Sequence, residues 1–241
     1  MKRKGQITAL VTACMLALTA CGGGSKETFA DSARSTIAAS APAASTPAAE
    51  ASDAGNEEMP DVLGTKDGNV YENQYFDLHW ELPSDGWFFL DDEQLSQILQ
   101  ITQQVMDKED LEKMLEQGGA YFDAYAMSPT NENVTITVQA LSPIQTAVVG
   151  KVTEEALLSA NGLQLQSTYK QMGATKCEVN LGTISFCGEE KDCMRVDVEL
   201  MGTVMKQTYV MVMKGDYLMA ITATTNSGKE DDLISSFTNA R

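Results

Sequence analysis

Between Phe76 and Leu82 the chain alternates strictly, with Phe76, Leu78, Trp80 and Leu82 set against Asp77, His79 and Glu81. That period of two predicts a half-buried strand. Pro83-Ser84-Asp85-Gly86 predicts a turn, after which Trp87 to Leu90 resumes an apolar run. Asp91 with Gln94 three residues on reads as a helix start, and Leu95, Ile98, Leu99, Thr102, Val105 and Met106 keep helical spacing. A second, short helix fits Lys108 to Gln117, with Gly118-Gly119 as its stop. Ala120 to Met127 and Val134 to Val138 predict a hairpin around Ser128–Asn133. Thr153, followed by Glu154 and Glu155, opens a long helix toward Met172 that Gly173 closes. Four strand-like segments follow: Thr175–Ser185, Cys193–Leu200, Val204–Lys214 and Tyr217–Thr225, divided by Gly188, Gly202 and Gly215. Such spacing suits an antiparallel meander. Glu230–Asn239 reads as a closing helix. The expected fold is α+β, one antiparallel sheet with helices packed on it.

The first 68 residues carry a different pattern. Lys2, Arg3 and Lys4 precede an uncharged stretch from Ile7 to Ala20, which has the length of a secretory h-region and not of a membrane span. Leu18-Thr19-Ala20-Cys21 then resembles a bacterial lipobox, so residues 1–20 are expected to be a signal peptide and Cys21 the lipid attachment site. An ordinary secretory signal with a cysteine at its cleavage point is the alternative. Residues 21–68 are rich in Ala, Ser, Thr and Pro and lack Trp and Tyr, with Phe29, Ile37, Val62 and Leu63 too scattered for a core. A disordered tether is expected there, its ends roughly 40 Å apart as a flexible coil. Residues 69–241 are expected to form the single domain.

Charge sharpens this picture. Removing the three basic residues of the signal takes the net charge from −17 to −20. That sign excludes gripping a phosphate backbone, and it repels anionic headgroups. The expected membrane attachment is therefore a diacylglyceryl anchor on Cys21, at the outer face of the cell membrane.

Candidate chemistry is sparse. Asp77, His79 and Glu81 share a strand face and can be read as half a metal site, or simply as the polar face of that strand. No G-x-S-x-G occurs, and His79 is the only histidine. Cys187 and Cys193 are both expected to face outward on adjacent strands, where a disulfide can form in an exported protein, leaving Cys177 as the odd thiol. Met194, Met201, Met205, Met211, Met213 and Met219 crowd the meander and read as core rather than as a copper site. Asp91-Asp92-Glu93 reads as a helix N-terminus before a calcium site, and Asn133-Val134-Thr135 matches a glycosylation sequon. No catalytic, cofactor-binding or metal-ligating residue is assigned.

Tyr71-x-Asn73, Tyr75-Phe76-x-Leu78, Leu82-Pro83 and Gly86-Trp87 resemble the opening of PsbP-like domains, in which a strand ends in Leu/Ile-Pro before a Trp. The later helix, meander and closing helix are compatible with that fold, an α/β/α sandwich. The chain is also similar to uncharacterised lipoproteins of Gram-positive anaerobes with the same tether and domain. The resemblance implies a fold, and its photosynthetic members imply metal-linked roles for which no ligand set matches here. The expected function is a non-catalytic binding or accessory domain, monomeric, whose ligand is left open among a protein, a peptide and a small molecule. The alternative is a cell-envelope hydrolase whose Asp and Glu residues are assembled by the fold.

Overall fold

The computed structural model describes residues 61–83, 86–91, 93–95, 108–116, 119–141 and 153–240. The signal peptide, Cys21, most of the tether and the helical spacing from Ile98 to Met106 lie outside the described residues.

Among the described residues ten strands and three longer helices follow one another in this order. They are β1 (Thr65–Asp67), β2 (Val70–Asn73), β3 (Leu78–Glu81), β4 (Phe88–Phe89), α1 (Lys108–Glu116), β5 (Ala120–Met127) and β6 (Asn133–Ala140). Then come α2 (Glu154–Gln171), β7 (Lys176–Phe186), β8 (Glu189–Leu200), β9 (Thr203–Lys214), β10 (Tyr217–Thr225) and α3 (Glu230–Ser235). Seven strands make one antiparallel sheet in the order β4-β5-β6-β10-β9-β8-β7, and β1-β2-β3 make a second, small one. The fold class is α+β, as expected. The single sheet is a correction, because the strand around Trp80 belongs to the small sheet.

Local signals act as the sequence suggests. Asp91 Oδ1 accepts from the Gln94 amide at 2.8 Å while Gln94 Oε1 accepts from the Asp91 amide at 3.1 Å, a reciprocal capping box. The Thr153 hydroxyl accepts from the Ala156 amide at 3.2 Å and starts α2. At its other end Gly173 takes φ 88°, and the Ala174 amide returns to the Tyr169 carbonyl at 2.9 Å. Cys187-Gly188 and Met201-Gly202 turn the meander with positive φ at both residues, the geometry that matches strand twist in a two-residue hairpin.

Both faces of the large sheet are covered. On one, Met194, Val196, Val198 and Leu200 of β8, Tyr209 and Met211 of β9 and Leu218 of β10 pack with Leu158, Leu165 and Tyr169 of α2. Approach is close at Gly162, where a Cβ would meet Val179 at 2.7 Å and Met194 at 3.0 Å. The opposite face carries α3 and the small sheet. There Trp80 stacks on Phe237 at 5.0 Å, Phe237 meets Phe186 at 5.7 Å, and Asp231 of α3 takes Arg195 of β8 at 2.8 Å. The expected closing helix stops at Ser235, and the tail extends instead, exchanging hydrogen bonds between Thr238 and His79 of β3 at 2.8 and 2.9 Å. Buried Met194, Met211 and Met219 sit in this packing.

The domain starts earlier than residue 69. Val62, read as a stray tether residue, is 1% exposed, and β1 pairs with β2 through Lys66↔Tyr71. Burial of one apolar side chain and a strand pairing bind the end of the expected tether into the fold.

Candidate functional site

The half metal site read from Asp77, His79 and Glu81 does not assemble, while His79 and Glu81 keep the polar face of β3 against buried Leu78 and Trp80. Asp77 lies before β3 with φ 59°, so the alternation that would align it with His79 is broken. His79 Nδ1 stands 3.1 Å from Glu72 on β2, and Glu81 accepts from Asn69 at 2.9 Å. Asp77 thus leaves the face that His79 and Glu81 share on β3, and these two are each taken up by a neighbour. Among the described residues no group of three His, Cys, Asp or Glu side chains converges as a metal site would require.

The disulfide expectation is corrected. Cys177, Cys187 and Cys193 are all free thiols. Cys193 faces Gly182 across the β7–β8 ladder, while Cys187 is in the turn beyond Phe186↔Glu189. Four strand residues separate Cys193 from that turn, about 13 Å at the rise of an extended chain, against the 7 Å or so a bridge tolerates. Nor does Cys193 face out. It is fully buried, because the face opposite α2 is itself covered by α3 and the small sheet. Burial pushes both thiols up, Cys187 to about 11 with Asp77 adding to the effect. Neither is a poised nucleophile.

One buried polar group was not foreseen. The β5–β6 register slips between Phe122 and Ala124, leaving Asp123 as the extra residue of a bulge. Its carboxylate is 4% exposed and takes the Tyr71 hydroxyl at 2.5 Å, the Gly64 amide at 2.9 Å and the Asn73 amide group at 3.2 Å. The same Asn73 nitrogen donates to the Val62 carbonyl at 3.0 Å, and Asn73 Oδ1 accepts from the Phe76 amide at 2.9 Å. Burial raises the Asp123 pKa, and the three donors recover only part of that cost. Burial next to Asp123 also holds the Tyr71 hydroxyl well above its ordinary range. Tyr71 and Asn73, two residues of the short sequence motif, therefore fasten the small sheet to the large one. The only sequence signal was a carboxylate inside the otherwise apolar run of β5.

A concave feature among the described residues lies elsewhere. The β8–β9 ladder runs from Leu200↔Thr203 to Cys193↔Val210 and ends there, though both strands continue. In the gap, Glu154 at the start of α2 accepts from the Met213 amide at 3.1 Å and pairs with Lys191 at 2.7 Å. A cleft of about 190 Å³ opens beside this splay, lined by Phe76, Leu78, Phe186 and Val212 with Asp77, Cys187, Glu189, Glu190, Lys191 and Asn239. Phe76, Leu78 and Phe186 are buried, so the floor is apolar while Asp77, Glu189 and Glu190 are exposed at the rim. Two of its lips, Asp77 and Cys187, hold positive φ. A space this small takes one side chain or a small amine rather than a drug-sized ligand.

No family model matches the chain, and no curated protein matches it. Among solved structures it is similar to the solution structure of cyanobacterial PsbP (CyanoP) from Synechocystis sp., at 13% identity and a TM-score of 0.44, over 77% of this chain and 99% of that one. At that level the likeness carries no functional argument, and the α+β class rests on the strand order and helix packing above. No helix among the described residues is long and apolar enough to cross a membrane.

Proposed function

We propose that this chain is a membrane-anchored extracytoplasmic lipoprotein whose α+β domain binds a partner and does not catalyse a reaction. The anchoring half of the reading rests on Leu18-Thr19-Ala20-Cys21 behind a basic and apolar leader. The binding half rests on one observation: the buried carboxylate Asp123 and the Asp231–Arg195 pair are both engaged in holding the fold together. Asp123 fastens the small sheet, and Asp231 joins α3 to Arg195 and Thr208. Cys187 and Cys193 are held as thiols.

Metabolic labelling with a fatty acid, in cells making the full chain or its Cys21→Ser variant, tests the anchor. Label on the first and not the second supports it, and label on neither overturns it. Crosslinking and pull-down from intact cells tests the domain. A defined co-purifying protein supports binding. Release of soluble fragments from a cell-wall extract by the purified chain would establish the hydrolase instead.

A further inference from the structure

We propose that the cleft where β8 parts from β9 receives the basic side chain, a lysine or an arginine, of a partner polypeptide. The inference rests on the binding reading above and names the chemistry of the partner. Three observations converge on it. First, the cleft floor of Phe76, Leu78, Phe186 and Val212 is apolar and suits an aliphatic stem. Second, the rim is anionic in net terms. Lys191, its cation, is matched by Glu154 at 2.7 Å, whereas no cation pairs with Asp77, Glu189 or Glu190 among the described residues. Third, about 190 Å³ is the scale of one long side chain, and the rim does not converge as a metal site would. The acidic balance of the whole chain draws a basic partner to the molecule.

Two of the rim residues can be neutralised with little risk to the fold. Asp77 sits at φ 59°, a conformation that asparagine tolerates as well as aspartate, and Glu189 is exposed. The test is a titration of the isotope-labelled full-length chain, followed by amide NMR, with a capped Ala-Ala-Arg-Ala-Ala peptide. Its lysine and citrulline counterparts and putrescine are titrated alongside. Millimolar binding is expected for the arginine and lysine peptides, with shifts at Asp77, Cys187–Lys191 and Val212 that weaken as salt is raised. Citrulline, isosteric but neutral, is expected to shift nothing. Asp77→Asn and Glu189→Gln should each weaken binding about two- to five-fold and leave the rest of the spectrum in place.

Equal shifts with citrulline overturn the proposal, as do shifts confined to another face or none at all. Putrescine binding as tightly as the peptides also overturns it, since the occupant is then a small amine. If a pulled-down partner is retained by the Asp77→Asn/Glu189→Gln chain, the cleft assignment fails while the binding function stands.

Discussion

The Tyr71 hydroxyl donates to Asp123 Oδ2 at 2.5 Å across 52 positions of sequence, and both groups are buried. This contact ties the small sheet to the bulge of β5. Replacing Tyr71 with Phe removes one donor to a carboxylate and should cost about 2 kcal/mol, read as a lower urea midpoint at unchanged m-value. Gly64→Ala should cost at least as much, because its Cβ would stand 2.4 Å from the Tyr71 ring and 2.7 Å from the Glu72 carbonyl.

Asp123 and Asp231 should leave opposite marks on the pH dependence of stability. Burial raises the Asp123 pKa above its ordinary 3.8, so the folded state holds that proton more tightly than the unfolded one. Its contribution is full below the unfolded pKa and is lost as pH rises through the folded value. Burial would raise Asp231 too, but the hydrogen bonds from Arg195 and Thr208 outweigh it and its pKa is lowered. That contribution is present above the unfolded pKa and is lost as pH falls through the folded one. Urea unfolding between pH 3 and 7 should therefore show a flatter fall toward acid for Asp231→Asn. In Asp123→Asn, stability should no longer decline with pH just above 3.8.

Gly162→Ala should destabilise despite the better helix propensity of alanine. Propensity favours the change by about 1 kcal/mol. Against it stands the 2.7 Å approach to Val179, a branched side chain with little room to yield, and overpacking of this kind costs about 1–3 kcal/mol. A fall in Tm is expected, and a rise would show that α2 can lift off the sheet without loss.

Met201→Asn should stabilise by about 0.5–1 kcal/mol. Met201 is 72% exposed at φ 53°, so it has little packing to lose, and asparagine prefers that conformation. Thermal unfolding of the two chains side by side checks this.

On the mature chain, without the signal that carries Cys14 and with Cys21 lipidated, alkylation should find three modified thiols after denaturation without reductant, at Cys177, Cys187 and Cys193. On the folded chain Cys187 should react slowly near neutral pH, because a thiol pushed up to about 11 carries little thiolate there. A mass two units short of three free thiols would restore the bridge that the register forbids.

The elements that were legible in the sequence are those built by neighbours along the chain. The Asp91–Gln94 box, the Thr153 cap and the glycines of the meander each complete a structure within about four residues, so their residue types suffice. Asp77 left the face of His79 and Glu81 for a reason of the same range. A left-handed residue at Asp77 interrupts the alternation, a conformation that an Asp permits but does not dictate.

What the sequence by itself determined is which residues turn, cap and alternate, and hence the α+β class. What only the tertiary structure decided is which layer covers each face. A period of two shows that Cys193 and Met194 point to opposite sides of β8, but not that the first would be buried as fully as the second is under α2. It could not pair β10 with β6 or bring Asp123 to Tyr71. Those choices depend on apolar area and hydrogen-bond partners supplied from distant positions. The free energy that selects them does not exist until the layers meet.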